Sequence, residues 1–267
     1  MRIVSFLRLP VLWLAALAGP LQAATPLMIW PVDPVMGSGE QAVALWLENH
    51  GEQPVSMQVR VFTWKQNGGE DTFETQQAVV ASPPIASIPP GRRQLVRLMT
   101  LAPLQPGQEH AYRVMVDELP PAARLPGEAA APADQQVAVK VQIRYAVPLF
   151  VFGEGAGNDK KPPPRSTGLL EPRLHWHLAA PRAGAAAGPG AKPLPALCVA
   201  NTGGAHARLT AASWRTAQGE KTLNAGLLGY VLAQSERCWQ LEAAVPPNAA
   251  LTASINGSAA SIERSPD

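Results

Sequence analysis

A long alternation of apolar and polar side chains lies in the middle of the chain. Between residues 136 and 147 every second position is apolar: Val137, Val139, Val141, Ile143, Tyr145 and Val147. This period of two predicts one extended strand with an apolar row on one face, longer than an ordinary half-buried strand. At a sheet edge, such a strand offers both its apolar row and its free backbone groups to another protein.

Shorter runs of the same kind, separated by Gly, Pro and Asn turns, lie on both sides of this strand. Pro31 and Pro34 interrupt the first run, which predicts an edge strand or a strand that changes sheets, because proline donates no ladder hydrogen bond. Long amphipathic helical patterns are absent from the sequence. The pattern therefore predicts an all-β chain, with an immunoglobulin-like sandwich in its first part.

The first residues have the pattern of a secretory signal. Arg2 and Arg8 flank the start of an apolar stretch that is too short to span a bilayer, and Ala23 and Ala24 follow it. We interpret residues 1–24 as a cleaved signal peptide, with an N-terminal membrane anchor as the alternative. No later segment is apolar enough to predict stable membrane insertion.

Composition divides the exported part into two domains. Residues 25–153 form the predicted N-terminal immunoglobulin-like domain, which ends with the long strand. Residues 154–168 are rich in Gly, Lys and Pro and are interpreted as a hinge, and residues 169–267 as a second β-sandwich. Without Arg2 and Arg8 the chain carries 20 basic and 20 acidic residues, since 22 − 2 = 20. A neutral chain argues against nucleic-acid binding.

The two cysteines, Cys198 and Cys238, are both in the second domain. In an oxidising compartment they are predicted to form a disulfide, which would close a loop of about 40 residues and stabilise the fold by roughly 3–4 kcal/mol. Two buried thiols are the alternative.

The sequence contains no arrangement typical of catalysis. No Gly-x-Ser-x-Gly elbow or phosphate-binding loop occurs. His175 and His177 flank Trp176 and could supply half of a zinc site, but a polar outer face over a buried tryptophan is the favoured interpretation. We therefore predict no enzyme activity, no catalytic residue, no metal and no cofactor.

Several segments together resemble a known family. They are Ser82-Pro83-Pro84-Ile85, residues 94–98, 112–120, 136–152, 201–209 and 226–232. In this order they resemble the periplasmic pilus-assembly chaperones of the chaperone–usher pathway, the PapD-like proteins. The segment 226–232 resembles the corresponding segment of the archaic branch of this family, whose members serve Csu-type and spore-coat-like pili.

The resemblance implies two immunoglobulin-like sandwiches in an L or boomerang arrangement. It also implies a periplasmic function: holding pilin subunits by donor-strand complementation and delivering them to an outer-membrane usher. The donor residues would be Val137, Val139, Val141 and Ile143. A homodimer in which the free protein caps itself stays open.

The sequence departs from the family where two cations are expected to bind the C-terminal carboxylate of a pilin. Asp33 and Pro148 occupy those positions. Arg144 and Arg97 are the candidates for a relocated anchor, because a guanidinium binds a carboxylate through two parallel hydrogen bonds. The alternative, which we favour for each of them, is a solvated strand residue.

The alternative function is an exported structural or adhesive component of a pilus. In the system that the resemblance implies, a pilin is usually a single incomplete sandwich with an N-terminal donor extension. Here the long strand is internal and a second domain follows it, which favours the chaperone.

Overall fold

The computed structural model describes residues 27–120, 142–156, 170–181 and 193–266. The predicted signal peptide, most of the predicted hinge and the donor residues Val137, Val139 and Val141 lie outside these ranges. All elements of the described chain are β-strands. No helix in the described part has the length and apolar character needed to cross a membrane.

The N-terminal part contains two sheets. One has the order β1 (Leu27–Trp30), β3 (Ala42–Asn49), β8 (Arg93–Thr100), β6 (Val79–Ser82). The other has the order β2 (Val35–Met36), β10 (Arg144–Phe152), β9 (Glu109–Leu119), β4 (Val55–Asn67), β5 (Glu70–Thr75), with β7 (Ile85–Ile88) also beside β4.

The chain changes from one sheet to the other at two proline-containing breaks. Pro31 and Pro34 lie between β1 and β2, and Pro83 and Pro84 lie between β6 and β7. Because proline cannot donate to a ladder, strand pairing ends at these points and resumes in the opposite sheet. The prediction of an edge strand or a strand that changes sheets is confirmed, since β1 is the edge of its sheet and β2 continues in the other one.

The core of this sandwich comes from alternating inward-facing residues of both sheets. Leu45 and Leu47 of β3, Leu98 of β8 and Val114 and Val116 of β9 are all fully buried. Their spacing of two residues is the alternation visible in the sequence, because successive strand residues point to opposite faces.

The C-terminal part is one continuous path of seven strands around a second core. In spatial order these are β14 (Gly219–Val231), β13 (Ala207–Thr216), β16 (Ala250–Ile255), β17 (Ser258–Arg264), β11 (Leu174–Ala179), β12 (Ala196–Asn201) and β15 (Ser235–Gln240). Trp176 and Trp214 meet edge to face in this core, with ring centroids 5.2 Å apart. The sequence patterns did not predict β15 and β17, whose short segments mix polar and apolar residues.

The predicted class, all-β with two immunoglobulin-like units, is confirmed by these sheets and their separate cores. The disulfide between Cys198 and Cys238 is also present and joins directly paired residues of β12 and β15. The domain boundaries proposed from the sequence stay a prediction.

Replacing Leu98 by Ala should lower the free energy of unfolding by about 2–5 kcal/mol, because the truncated side chain leaves a cavity in a fully buried site. Urea unfolding measures the change. Leu101→Ala is the matched control, since Leu101 is 63% exposed three residues later, and we expect less than about 0.5 kcal/mol there. Equal losses at the two positions would contradict this description of the core.

Candidate functional site

Strand β10 has one edge paired and the other edge mostly open. Along its whole length it pairs with β9, from Arg144 opposite Asp117 to Phe152 opposite Glu109. On its other side β2 pairs only with Phe150 and Val151. Between Arg144 and Leu149 no described strand pairs with this second edge. Such an edge is a template for an added strand.

An apolar groove runs beside this open edge, between β10 and the edge strand β1. Its volume is about 300 Å³, and it is lined by Leu27, Ile29, Val32, Tyr145, Ala146 and Val147. Val32 is 63% exposed. The two sheets therefore do not close over each other here, and apolar side chains stand next to unpaired backbone. This combination suits an incoming strand with its own apolar row.

The apolar row predicted from the sequence has two different environments. Val147 is 7% exposed and belongs to the sandwich core, and Tyr145 packs against the same core. The end of the row is therefore directed into its own domain, which corrects the view that the whole row is offered outward. Ile143 is half-buried on the same face and lies outside that core cluster.

Arg144 lies on the opposite, solvent-facing side of β10. Its guanidinium is ion-paired with Asp117, which also accepts a 2.7 Å hydrogen bond from Arg60. Partial burial on its own raises the pKa of Asp117, but the hydrogen bonds from Arg144 and Arg60 outweigh it and hold the pKa below its usual value. Arg144 is thus engaged within the domain.

Arg97, the other anchor candidate, is on the other sheet. It lies on β8, between Ala44 of β3 and Ser82 of β6, with its side chain exposed on the outer face. The structure therefore does not bring Arg97 and Arg144 together. Each would have to act on its own.

The far end of β10 enters an aromatic cluster between the two sandwiches. Phe150 lies 6.0 Å from Trp64 and 5.8 Å from Tyr230, measured between ring centroids. Phe150 also stacks on His206 at 3.4 Å, and the His206 ring contacts the buried carboxylate of Glu109 at 2.8 Å. These contacts hold the two sandwiches together at the base of the open edge.

Two arginines that sequence reasoning missed lie at this junction. The Arg113 guanidinium lies 3.7 Å from the centroid of the Trp64 ring, and Arg208 lies close enough to Tyr230 to lower the pKa of its hydroxyl. The Nε atoms of Arg113 and Arg208 are both buried and have no hydrogen-bond partner among the described residues. Burial lowers the pKa of Arg113, while the charge of Asp71 raises it. Buried donors without partners are costly.

Arg113 lies next to one of the two positions where the family resemblance expected cations. Arg113 is directly opposite Pro148 in the pairing of β9 with β10, and its Nη1 approaches the Ala146 carbonyl oxygen at 3.5 Å. Burial raises the pKa of Tyr230, the neighbouring Arg208 lowers it, and the charge of Asp33 adds to the increase. The strand alternation of β9 was the only sequence signal for Arg113.

Trp176 is 3% exposed, which fits the interpretation of His175 and His177 as a polar outer face over a buried tryptophan. His177 lies 3.7 Å from Glu236, and both are close to Cys198. The Cys198 sulfur is bonded to Cys238. A thiolate ligand is therefore not available in this oxidised form.

Residues 32–155 match the family of pili and flagellar-assembly chaperones, in its PapD N-terminal domain. This range contains β2 to β10 and thus the open edge. The recognition made from the sequence is confirmed by this match and by the solved structures that resemble the chain. No curated protein sequence matches the chain.

Solved structures extend the likeness over both domains. The chain is similar to the chaperone of the CsuC–CsuE chaperone–tip adhesion subunit pre-assembly complex, from archaic chaperone–usher Csu pili of Acinetobacter baumannii. The identity is 27%, the TM-score is 0.69, and 90% of this chain and 100% of that one are covered.

Two more distant structures share the fold. The Escherichia coli chaperone DraB matches with 15% identity and a TM-score of 0.52, over 90% of this chain and 96% of that one. The Pseudomonas aeruginosa CupB2 chaperone matches with 15% identity and a TM-score of 0.51, over 88% and 96%.

Asp117→Asn should lower the free energy of unfolding at neutral pH by at most about 1 kcal/mol, because the side chains of Arg60 and Arg144 are 44% and 64% exposed and solvent screens the pairs. Folding lowers the pKa of Asp117. Its contribution is therefore present above about pH 3.9 and is lost as the pH falls through the folded value. Urea unfolding at about pH 7 and about pH 3 measures this. The two proteins should converge on acidification, and a widening difference would rule out this pairing.

Proposed function

We propose that this protein is a periplasmic chaperone that binds pilin subunits by donor-strand complementation and delivers them to an outer-membrane usher. The open edge of β10 between Arg144 and Leu149, beside the apolar groove, is the observation that carries the proposal. A chaperone holding a pilin has to supply both backbone partners and apolar side chains, and this edge offers both. The family match of the first domain supports the same role.

The donor row extends from this edge toward the N-terminus. Ile143 precedes β10 on the face that contains Tyr145 and Val147. The period of two in the sequence predicts the same face for Val141, Val139 and Val137. Tyr145 and Val147 then fix the strand in its own sandwich, while the preceding residues enter the pilin. Burying four such side chains contributes on the order of 6–12 kcal/mol, from which the cost of association is subtracted.

We place the carboxylate anchor of this site at Arg113 and Arg208. Their buried Nε atoms have no partner among the described residues, and Arg113 lies opposite Pro148, at the base of the open edge. A carboxylate reaching this point would satisfy donors whose desolvation is otherwise uncompensated. Arg144 and Arg97 remain the candidates that the sequence suggested, although Arg144 would first have to leave Asp117.

The open edge is also accessible to a second copy of this chain. A free protein that covers it in a self-capping homodimer would protect an aggregation-prone edge until a pilin arrives. Pilin binding and self-association would then compete for β10, so the homodimer belongs to the same proposal.

Co-expression with a pilin from a neighbouring gene, followed by purification through a tag on this protein, tests the donor row. The wild type should retain a soluble one-to-one complex. Val141→Asp with Ile143→Asp should reduce capture by more than about 100-fold, because two charges would enter an apolar groove. Gln142→Asp is the matched control, since Gln142 is exposed on the same segment, and it should capture normally.

Capture by the double Asp variant at the wild-type level would overturn the donor role. It would favour the alternative, in which the chain is itself a structural or adhesive pilus component. Circular dichroism and urea unfolding of the free variant show that its own sandwich has formed, so that lost capture is not lost folding.

Single replacements separate the anchor candidates. Arg113→Met should weaken pilin binding by roughly tenfold or more, since a charge-assisted hydrogen bond contributes about 1.5–3 kcal/mol, and Arg113→Lys should recover part of it. Arg144→Ala and Arg97→Ala should bind as the wild type does. Titration calorimetry with the purified pilin measures all four. Loss of binding in Arg144→Ala or Arg97→Ala, with Arg113→Met unaffected, would move the anchor to the sequence candidates.

A further inference from the structure

A hairpin of the first sandwich rests on the disulfide-bonded strand of the second. The turn between β4 and β5 places Gly69 against β15, where the Gly69 carbonyl accepts a 3.0 Å hydrogen bond from the Cys238 backbone N–H. The Arg237 guanidinium donates to the same carbonyl and to Glu70, each at 2.8 Å. These main-chain and ionic contacts cross directly from one sandwich to the other.

Gln66, in the same hairpin, bridges the end of β14. Its side-chain amide donates to the Tyr230 carbonyl at 2.8 Å and accepts from the Leu232 N–H at 2.9 Å. Gln66 is 7% exposed, so both bonds are shielded from water. The amide thus pairs with β14 as a backbone peptide group of an adjacent strand would. Tyr230 is the residue that Arg208 contacts in the junction.

Contact with the disulfide requires glycine at position 69. Gly69 has φ +78°, and a Cβ there would lie 2.5 Å from the Cys238 sulfur. Only a residue without a side chain allows this approach. The sulfur of Cys238 is therefore part of the surface on which the hairpin rests, and its position is fixed by the bond to Cys198 on β12.

We infer that residues 66–70 form an interdomain latch, and that the Cys198–Cys238 disulfide determines how firmly this latch holds the junction beside Tyr230. The consequence for pilin binding rests on the proposed function. Gln66 and Gly69 are positioning residues: they act on the junction through Tyr230, Leu232 and Cys238 and do not themselves contact the pilin.

Reduction of the Cys198–Cys238 disulfide is the chemical change that weakens the latch. A dithiol reductant attacks one sulfur, forms a mixed disulfide and then closes its own disulfide. The reductant loses two electrons and two protons, and Cys198 and Cys238 become thiols. Unbonded sulfurs move apart to van der Waals contact, which displaces either β15 from β12 or the Cys238 sulfur toward Gly69. Either movement weakens the contact between the hairpin at Gly69 and strand β15.

Amide hydrogen exchange tests the latch without any pilin. Gln66→Met keeps the side-chain volume and removes the two bonds to the second sandwich, together with the 3.0 Å bond from Gln66 to Asp71. The Leu232 amide should therefore exchange roughly 3–10-fold faster, as expected for a lost hydrogen bond of about 1 kcal/mol. Gln58→Met is the matched control on the same strand, where Gln58 pairs only within the first sandwich. Unchanged Leu232 exchange in Gln66→Met would overturn the latch.

The disulfide is tested on the full chain with and without dithiothreitol. Reduction should accelerate exchange at both the Leu232 and Cys238 amides, while amides of the first core, such as that of Val114, stay protected. Cys198→Ala with Cys238→Ala should show the accelerated rates already, with no response to the reductant. If the exchange rate of the Leu232 amide does not change on reduction, the redox coupling is overturned, even if the Gln66→Met variant supports the latch.

A third measurement connects the device to function. If the latch holds the junction, pilin dissociation from the reduced protein should be several-fold faster than from the oxidised one, and the double Ala variant should match the reduced rate. Equal dissociation rates would overturn the functional consequence. Failure of the proposed function itself is seen separately, as capture that survives Val141→Asp with Ile143→Asp.

Discussion

The unsatisfied backbone edge of β10 is the constraint on which the other features of this protein depend. Backbone N–H and C=O groups need partners, and a flat apolar edge without partners is an aggregation hazard. Here β2 covers only Phe150 and Val151, and the prolines before β2 prevent the pairing from extending further toward Arg144. The remaining edge is left for another chain.

One strand serves two environments because its side chains alternate. Tyr145 and Val147 pack in the first core, and Phe150 on the other face joins the aromatic junction. A shift of one residue in the pairing with β9 would exchange all of these faces. The register that presents the open edge is therefore the same register that positions the junction.

The junction between the two sandwiches contains both paired polar contacts and buried hydrogen-bond donors without described partners. The Glu109–His206 pair and the bridge from Gln66 are satisfied within the protein, which fixes one sandwich relative to the other. Arg113 and Arg208 instead retain buried donors without described partners. Buried donors held in a fixed frame suit the anion site that we propose, because little ordering is left to be done at binding.

The sequence by itself indicated the all-β class, an edge strand or a change of sheet at Pro31 and Pro34, and a disulfide between Cys198 and Cys238, because side-chain period, proline positions and cysteine count are read directly from the chain. It also supported the family resemblance. Only the tertiary structure decided that Tyr145 and Val147 belong to the chain's own core and that Arg113 comes to lie under Trp64. Those outcomes depend on which strands pair and in which register, and a pattern along one strand contains no information about its neighbours.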